Sequence, residues 1–405
     1  MSWKDVKNSA PESAEFIVNE AKKITAEMPA RLASSESENA AREYLAAQLA
    51  ECTDEVGKEE FSFAPDAAMG WIYITVVCAI LAFVAYFFVS FVSVVLIILA
   101  LVPFFVQGIF CSRAFDGMYK PASSENLTAV KKCAGVMKRR IIFVAHTDAS
   151  NEFAFHAKFG GKAFAAAMII SVVGAFYLLA ADIARWAYLG SMGAGLAAGD
   201  YLIVGLVGLV FVPFWFACFF FVDKKKVVDG ANDNLSGCLE AVALLKAMKD
   251  NGVQCENTEI LVVLTSAEEC GLRGAKAWCD AHREDFKDVP TDVLVLDTIR
   301  DEKHFKAGVR DLNGLVGLDA GLADEFIAAA TESGADCLKG GVSFGATDAA
   351  AFAESGFRAT SVTALDSSLP EYYHTQADTA DNMNPELLAK CFKALAQFVE
   401  NADGK

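Results

Sequence analysis

Seven side chains in this 405-residue sequence are of the kinds that hold metal ions or move protons, and most of them follow an apolar run. Ile141-Ile142-Phe143-Val144-Ala145 leads into His146-Thr147-Asp148. Ile260-Leu261-Val262-Val263-Leu264 leads into Thr265-Ser266-Ala267-Glu268-Glu269, and Val293-Leu294-Val295-Leu296 into Asp297. Two further segments add Asp233, within Gly230-Ala231-Asn232-Asp233-Asn234, and His374, within Tyr372-Tyr373-His374-Thr375. Taken singly each signal is weak, since a histidine after a strand is usually a satisfied polar residue and a Glu-Glu pair usually a solvated turn. Their order and shared context point to a metal site. The donors are imidazole and carboxylate without thiolate, which suits Zn²⁺, with Mn²⁺ or Co²⁺ as alternatives.

Such a site needs a scaffold that brings distant segments together. Apolar strand-like runs at 141–145, 260–264 and 293–296 alternate with helical stretches at 239–248, 322–333 and 386–401. Two amphipathic helical stretches, 13–28 and 38–52, precede them, the second with Ala41, Tyr44, Leu45, Leu49 and Cys52 as its apolar stripe, interrupted by Gln48. This alternation predicts an α/β domain with a mostly parallel central sheet flanked by helices. Ligands on such sheets collect at the carboxyl ends of the strands.

The apolar content, 54% with a positive mean hydropathy, exceeds that of a soluble domain. Residues 67–112 form a run of 46 without one charged side chain. As a single helix it would rise about 70 Å, over twice the roughly 30 Å hydrocarbon core, so two spans joined near Ser90-Phe91-Val92-Ser93 are expected. A second region gives spans at 163–181 and 201–222, with Asp182-Ile183-Ala184-Arg185 and a Gly/Ala-rich loop as the return. The expected layout is two transmembrane hairpins, 67–112 and 163–222, inserted into a domain built from 1–66, 113–162 and 223–405. Hairpins return to the side they left. Arg113, Lys120, Lys158, Lys162 and Lys224-Lys225-Lys226 gather on that side, against Arg185 alone opposite. The positive-inside rule then puts the large domain in the cytoplasm, at a bacterial cell membrane. Eleven cysteines without C-x-x-C spacing or any framework agree with a reducing compartment, as does an N-terminus without an apolar signal segment. The net charge of −17 argues against nucleic acid as a partner.

In sequence, His146-Thr147-Asp148, Gly230-Ala231-Asn232-Asp233-Asn234-Leu235-Ser236-Gly237, Glu268-Glu269-Cys270-Gly271-Leu272-Arg273-Gly274, Asp297 and His374-Thr375 resemble the successive motifs of the aminopeptidase Y type di-zinc metallopeptidases, metallopeptidase family twenty-eight. An opening, Pro29-Ala30-Arg31-Leu32-Ala33-Ser34, and an ending, Asp378-Thr379-Ala380-Asp381-Asn382, fit the same pattern. The resemblance implies a zinc-exopeptidase-like fold, two Zn²⁺ ions and hydrolysis of N-terminal peptide bonds. It implies that His146 and Asp297 bind one ion, Glu269 and His374 the other, and that Asp233 bridges both. Asp148 would hydrogen-bond the far nitrogen of His146, Glu268 would be the general base for the attacking water, and Tyr373 would stabilise the oxyanion. The hairpins are departures from the family pattern, and Ser343-Phe344-Gly345-Ala346-Thr347-Asp348 stands where the family lines its substrate pocket. Partners implied are peptide substrates and the lipid bilayer.

Rival readings exist. Gly341-Val342-Ser343-Phe344-Gly345 matches the nucleophile elbow of serine hydrolases, with Asp366 and His374 following in triad order. That elbow must follow a buried strand, whereas Asp336-Cys337-Leu338-Lys339-Gly340 is polar and short. Relatives of this fold also serve as receptors or complex subunits after losing metal ligands, and others are one-zinc glutaminyl cyclases. Here all five candidate ligands and the base are present. His156, His282 and His304 are read as ordinary polar residues.

Overall fold

The computed structural model describes residues 2–189 and 195–404. The chain divides into two compact units. One consists of Met1–Pro65, Pro121–Asn151 and Lys225–Lys405, the other of Asp66–Lys120 and Glu152–Lys224.

The first unit is built on an eight-stranded sheet. In chain order its strands are β1 (Glu55–Phe63), β2 (Ala122–Lys131), β3 (Arg139–His146), β4 (Thr258–Thr265), β5 (Thr291–Ile299), β6 (Phe305–Gly308), β7 (Leu338–Gly340) and β8 (Arg358–Ala364). Across the sheet they lie in the order β1-β2-β4-β3-β5-β8-β6-β7. The centre, β4-β3-β5-β8, is parallel, while β1, β2 and the β8–β6 pair are antiparallel. The apolar runs of β3 and β4 carry no in–out alternation because both of their faces are covered. Ile141, Phe143, Ile260 and Val262 enter the main core, and Ile142, Val144, Leu261 and Val263 are equally buried on the other side.

Helices supply the cover. α1 (Ala10–Glu27), α2 (Glu36–Cys52), α3 (Ser236–Asp250), α4 (Arg273–His282), α5 (Ala320–Glu332), α6 (Asp348–Glu354) and α7 (Pro385–Asp403) flank the sheet. α1, α2, α3, α5 and α7 contribute to one continuous core. On α4, Trp278 stacks on Phe286 and packs against Phe352 of α6. Gly237 lets α3 lie directly on β5, since a Cβ there would come within 2.3 Å of the Leu296 carbonyl oxygen. The result is the mostly parallel, helix-flanked sheet that the sequence predicts.

In the second unit, four helices among the described residues are long and apolar enough to cross a membrane: Ala67–Tyr86, Ser90–Ile109, Gly161–Leu189 and Asp200–Cys218. Twenty residues rise about 30 Å, the thickness of a hydrocarbon core. Their outward side chains are apolar, as at Leu81, Val84, Ile98, Leu99, Ile169 and Ile203. Polar groups turn inward instead. Thr75 donates to the Ala100 carbonyl, Tyr177 to that of Val204 and Trp215 to that of Ser171, at 2.7–2.8 Å.

One expectation is corrected here. Asp182 and Arg185 do not mark the return of the second hairpin, because the third helix continues through them to Leu189. Both are buried and satisfied inside the unit, which removes the reason for the helix to stop. The two hydroxyls of Ser90 and Ser93 donate to Asp182, and Arg185 donates to the carbonyls of Tyr86 and Gly195. Part of the expected Gly/Ala-rich loop, 190–194, lies outside the described residues.

Candidate metal centre

Strand order decides where the chemistry collects. From β3 the chain goes to β4 on one side and then to β5 on the other. The carboxyl ends of these three neighbours therefore flank a switch point, where an open α/β sheet forms its crevice. β3 ends at His146, the turn after β4 carries Glu268 and Glu269, and β5 carries Asp297 near its end. Asp233 arrives on the turn that precedes α3, and His374 on the loop between β8 and α7.

The structure gathers these residues into two donor groups. His146, Asp233 and Asp297 place one ligand atom each within 4.8 Å of one another, and so do Asp233, Glu269 and His374. Asp233 belongs to both. Nε2 of His146 lies 3.2 Å from Asp233 Oδ1, and Nε2 of His374 lies 3.1 Å from Oδ2. Each imidazole thus addresses a different oxygen of one carboxylate. Glu269 Oε1 is 3.2 Å from His374 Nε2, and Glu268 Oε2 is 3.9 Å from His146 Nε2. All are buried except Glu269, which is partly exposed.

The other ring nitrogens are fixed from outside. Nδ1 of His146 is 3.0 Å from the Asp148 main-chain carbonyl, and Nδ1 of His374 is 3.1 Å from Ser150 Oγ. The Asp148 carboxylate differs from its expected part. It stands 3.6 Å from the His146 ring and accepts instead from the main-chain N–H groups of Glu268 and Glu269, each at 3.2 Å. Its reach is short, and the nearby turn offers two closer donors.

The turn bearing Asp233 is held from several directions. Gly230 is left-handed, at φ 60°, and a Cβ on it would come within 2.6 Å of the Asp233 carbonyl oxygen. The Asp378 carboxylate accepts from Asn232 N, Asn232 Nδ2 and Asp233 N at 2.7–3.1 Å. Asn234 Nδ2 donates to Leu296 O at 2.8 Å, and Asn234 Oδ1 accepts from Gly237 N at 3.0 Å. The Asp233–Asn234 peptide bond is cis.

Charge crowding shows in the proton affinities. Burial, then the Asp233 charge, pushes Asp297 up to about 8. Burial acts on Glu268 in the same sense; His146 opposes it, and Asp348, Glu269 and Asp297 add to it, so its affinity rises well above the usual carboxylate range. For His374, burial favours the neutral ring, but Glu269 and the hydrogen bonds with Asp233 and Glu269 prevail and raise it to about 10. Asp233 moves the other way: burial would raise it, and the hydrogen bonds from both histidines hold it well below its ordinary value. Two imidazoles do not balance this many close carboxylates. Nitrogen and oxygen donors with no thiolate fit hard to borderline divalent cations, so the donor set fits the implied ions.

Tyr373 lies beside the group, its ring stacked on that of His374 at 4.1 Å between centroids. A Cβ added at Gly345 would sit 3.6 Å from the Tyr373 hydroxyl, which puts the 343–348 segment next to it. The serine triad is not assembled. Ser343 follows a three-residue edge strand with no helix beginning before Asp348, and Asp366 faces His304 at 3.7 Å. The sequence assigns no role to Ser150, Arg31 or Asp378, which support this site, and Asp348, which borders it, closes the segment expected to line the substrate pocket. Asp378 and Arg31 at least fell within segments already noted; Ser150 had no local signal.

Residues 221–399 match the model described as Peptidase family M28. Among curated proteins no match is found. Solved structures share the fold at low identity. An aminopeptidase from Aneurinibacillus sp. strain AM-1 aligns with a TM-score of 0.59 and 14% identity, over 99% of this chain and 96% of that one. The LapA aminopeptidase of Legionella pneumophila gives 0.55 and 13%, over 100% and 76%. A Bacteroides thetaiotaomicron glutaminyl cyclase bound to N-acetylhistamine gives 0.54 and 13%, over 98% and 97%.

Proposed function

From the premise that this chain carries a peptidase family M28 domain, we propose that it is a membrane-anchored aminopeptidase that removes N-terminal residues from peptides with two zinc ions. The observation that carries this reading is the pair of donor groups sharing Asp233. His146 and Asp297 would hold one ion, Glu269 and His374 the other, and Asp233 both. Bound there, the ions would supply Lewis acidity, polarising the scissile carbonyl and acidifying the attacking water.

The remaining work falls to the protein. Glu268 sits beside the donor groups without belonging to either. A carboxylate 3.9 Å from His146 Nε2, beside the donor groups but outside both, is placed to take a proton from water and pass it to the leaving amine. Asp148 holds Glu268 in place through the main chain. Tyr373, beside His374, donates its hydroxyl to the carbonyl oxygen as negative charge grows there.

In this reading the four apolar helices anchor the chain in the bilayer, and the Lys and Arg distribution supports a cytoplasmic catalytic unit. Residue-specific labelling of cysteines placed at 224 and at 197 in intact cells tests this. Only position 197 should react with an impermeant reagent, and the reverse pattern would refute the orientation.

For the chemistry, metal analysis is combined with turnover of aminoacyl amides and of peptides beginning with glutamine. The expected result is two ions per chain, free amino acid as product, and a Glu268→Gln variant that keeps both ions but loses turnover. Cyclised glutamine as the only product would instead assign the glutaminyl cyclase reaction. Activity surviving in Glu268→Gln and vanishing in Ser343→Ala would refute the metallopeptidase reading.

A further inference from the structure

Arg31 is fully buried in the short connection between α1 and α2. No carboxylate pairs with it within 4.0 Å among the described residues; Asp378, Asp229 and Asp148 act on it only through space. Its hydrogen bonds go to main-chain carbonyls. Nε donates to Thr147 O at 3.2 Å and Nη2 to Gly230 O at 3.0 Å, while the carbonyl of Arg31 accepts from Ala149 N at 2.8 Å. Residue 31 therefore grips the chain on both sides of Asp148 and at the residue from which the Asp233 turn begins.

These two loops need such a tie. Between them the chain makes the excursion 152–224 through the second unit, so no short covalent link fixes their spacing. Burying a guanidinium is costly, and a residue needed only to fill space would be apolar. A planar fork spans two fixed carbonyl acceptors, which a lysine ammonium on a flexible stem does not.

We propose that Arg31 is a positioning residue of the metal centre, locking the loop that bears His146 to the turn that bears Asp233 so that the two keep a common ion. This rests on the two-metal reading above. Loss of the fork lets the loops separate, weakening the ion that His146, Asp233 and Asp297 hold before it affects peptide binding.

The test uses the full-length protein in detergent: wild type, Arg31→Lys, Arg31→Ala, and Phe326→Leu as a core variant on α5, an element that carries neither loop. Zn²⁺ affinity is measured by chelator competition, the Co²⁺-loaded visible spectrum is recorded, and kcat and KM are separated. Arg31→Lys should stay folded, bind Zn²⁺ about 10–100-fold more weakly, alter the Co²⁺ spectrum, and lower kcat with little change in KM. Added guanidinium ion should restore part of the affinity of Arg31→Ala. Unchanged affinity and spectrum in Arg31→Lys would overturn the proposal, as would an equal affinity loss in Phe326→Leu. Failure of both Arg31 variants to fold would overturn it too, by making the residue a requirement of the fold. A wild type that binds no Zn²⁺ sinks the two-metal reading itself, an outcome distinct from a wild type and a lysine variant that bind equally well.

Discussion

Both units bury carboxylates, and they treat them in opposite ways. In the apolar unit, Asp182 is fully buried, and its two oxygens accept from Ser90 and Ser93, with Arg185 buried one turn further along the same helix. Nothing about it asks for another partner. In the sheet unit, Asp233, Asp297, Glu268 and Glu269 converge with only His146 and His374 among them, and Asp297 and Glu268 are driven toward their neutral forms. A carboxylate balanced by its neighbours fastens helices together. Carboxylates that outnumber their balancing groups make a place for a cation.

The strongest way to break that comparison is to remove the shared ligand. Asp233→Ala should abolish binding of both ions and reduce aminopeptidase turnover to background, since both donor groups need that carboxylate. A chelator should do the same to the wild type, reversibly on adding Zn²⁺. Inductively coupled plasma analysis and turnover of leucine amide decide it; an Asp233→Ala protein that still holds two ions would refute the pairing of donor groups.

Glu268→Gln should come next. Removing a general base costs about 10²–10⁴-fold in kcat, while metal content stays at the wild-type level because Glu268 belongs to neither donor group. Loss of an ion together with activity would mean that Glu268 is a ligand and that the surplus of carboxylate is smaller than the geometry implies.

Asp378→Ala sharpens the comparison at one remove. It strips three acceptor contacts from the Asp233 turn, one of them to the Asp233 main chain, without removing a member of either donor group. Metal affinity should fall by about 10–100-fold, as for other residues that orient ligands, measured by the same competition assay. An unchanged affinity would show that Asn234 and Gly230 hold the turn unaided.

The physical basis of these effects also explains what the sequence disclosed. β3, β4 and β5 are legible because burial on two faces makes them unbroken apolar runs, and the reactive residues stand where those runs stop. β8 is not, since Arg358-Ala359-Thr360-Ser361-Val362-Thr363-Ala364 mixes polar residues into its run, and Thr360 is hidden by a bond to the Gly308 carbonyl, 52 positions away. β1 is an exposed edge strand, Glu55–Phe63, whose charged residues read as loop. The third apolar helix outran its expected end because Asp182 and Arg185 look like helix-ending charges until their partners, Ser90, Ser93, Tyr86 and Gly195, are known. Arg31, Ser150 and Asp378 act on loops 116, 224 and 146 positions away. Nothing in their local spacing could announce that.

The smallest expected effect lies in the unit without chemistry. Asp182→Ala removes an acceptor shared by Ser90 and Ser93 and leaves Arg185 its carbonyl partners at Tyr86 and Gly195. Hydrogen bonds between helices in a bilayer are worth roughly 0.6–1.7 kcal/mol each, because hydroxyls in the opened state find other acceptors along their own helices. The variant should therefore unfold slightly more easily in detergent, followed by the helical circular dichroism signal. Its Zn²⁺ stoichiometry and kcat should match the wild type. If Asp182→Ala instead emptied the metal centre or stopped turnover at an unchanged unfolding midpoint, the balanced carboxylate would have a function, and charge balance would not separate a fastening from a binding site.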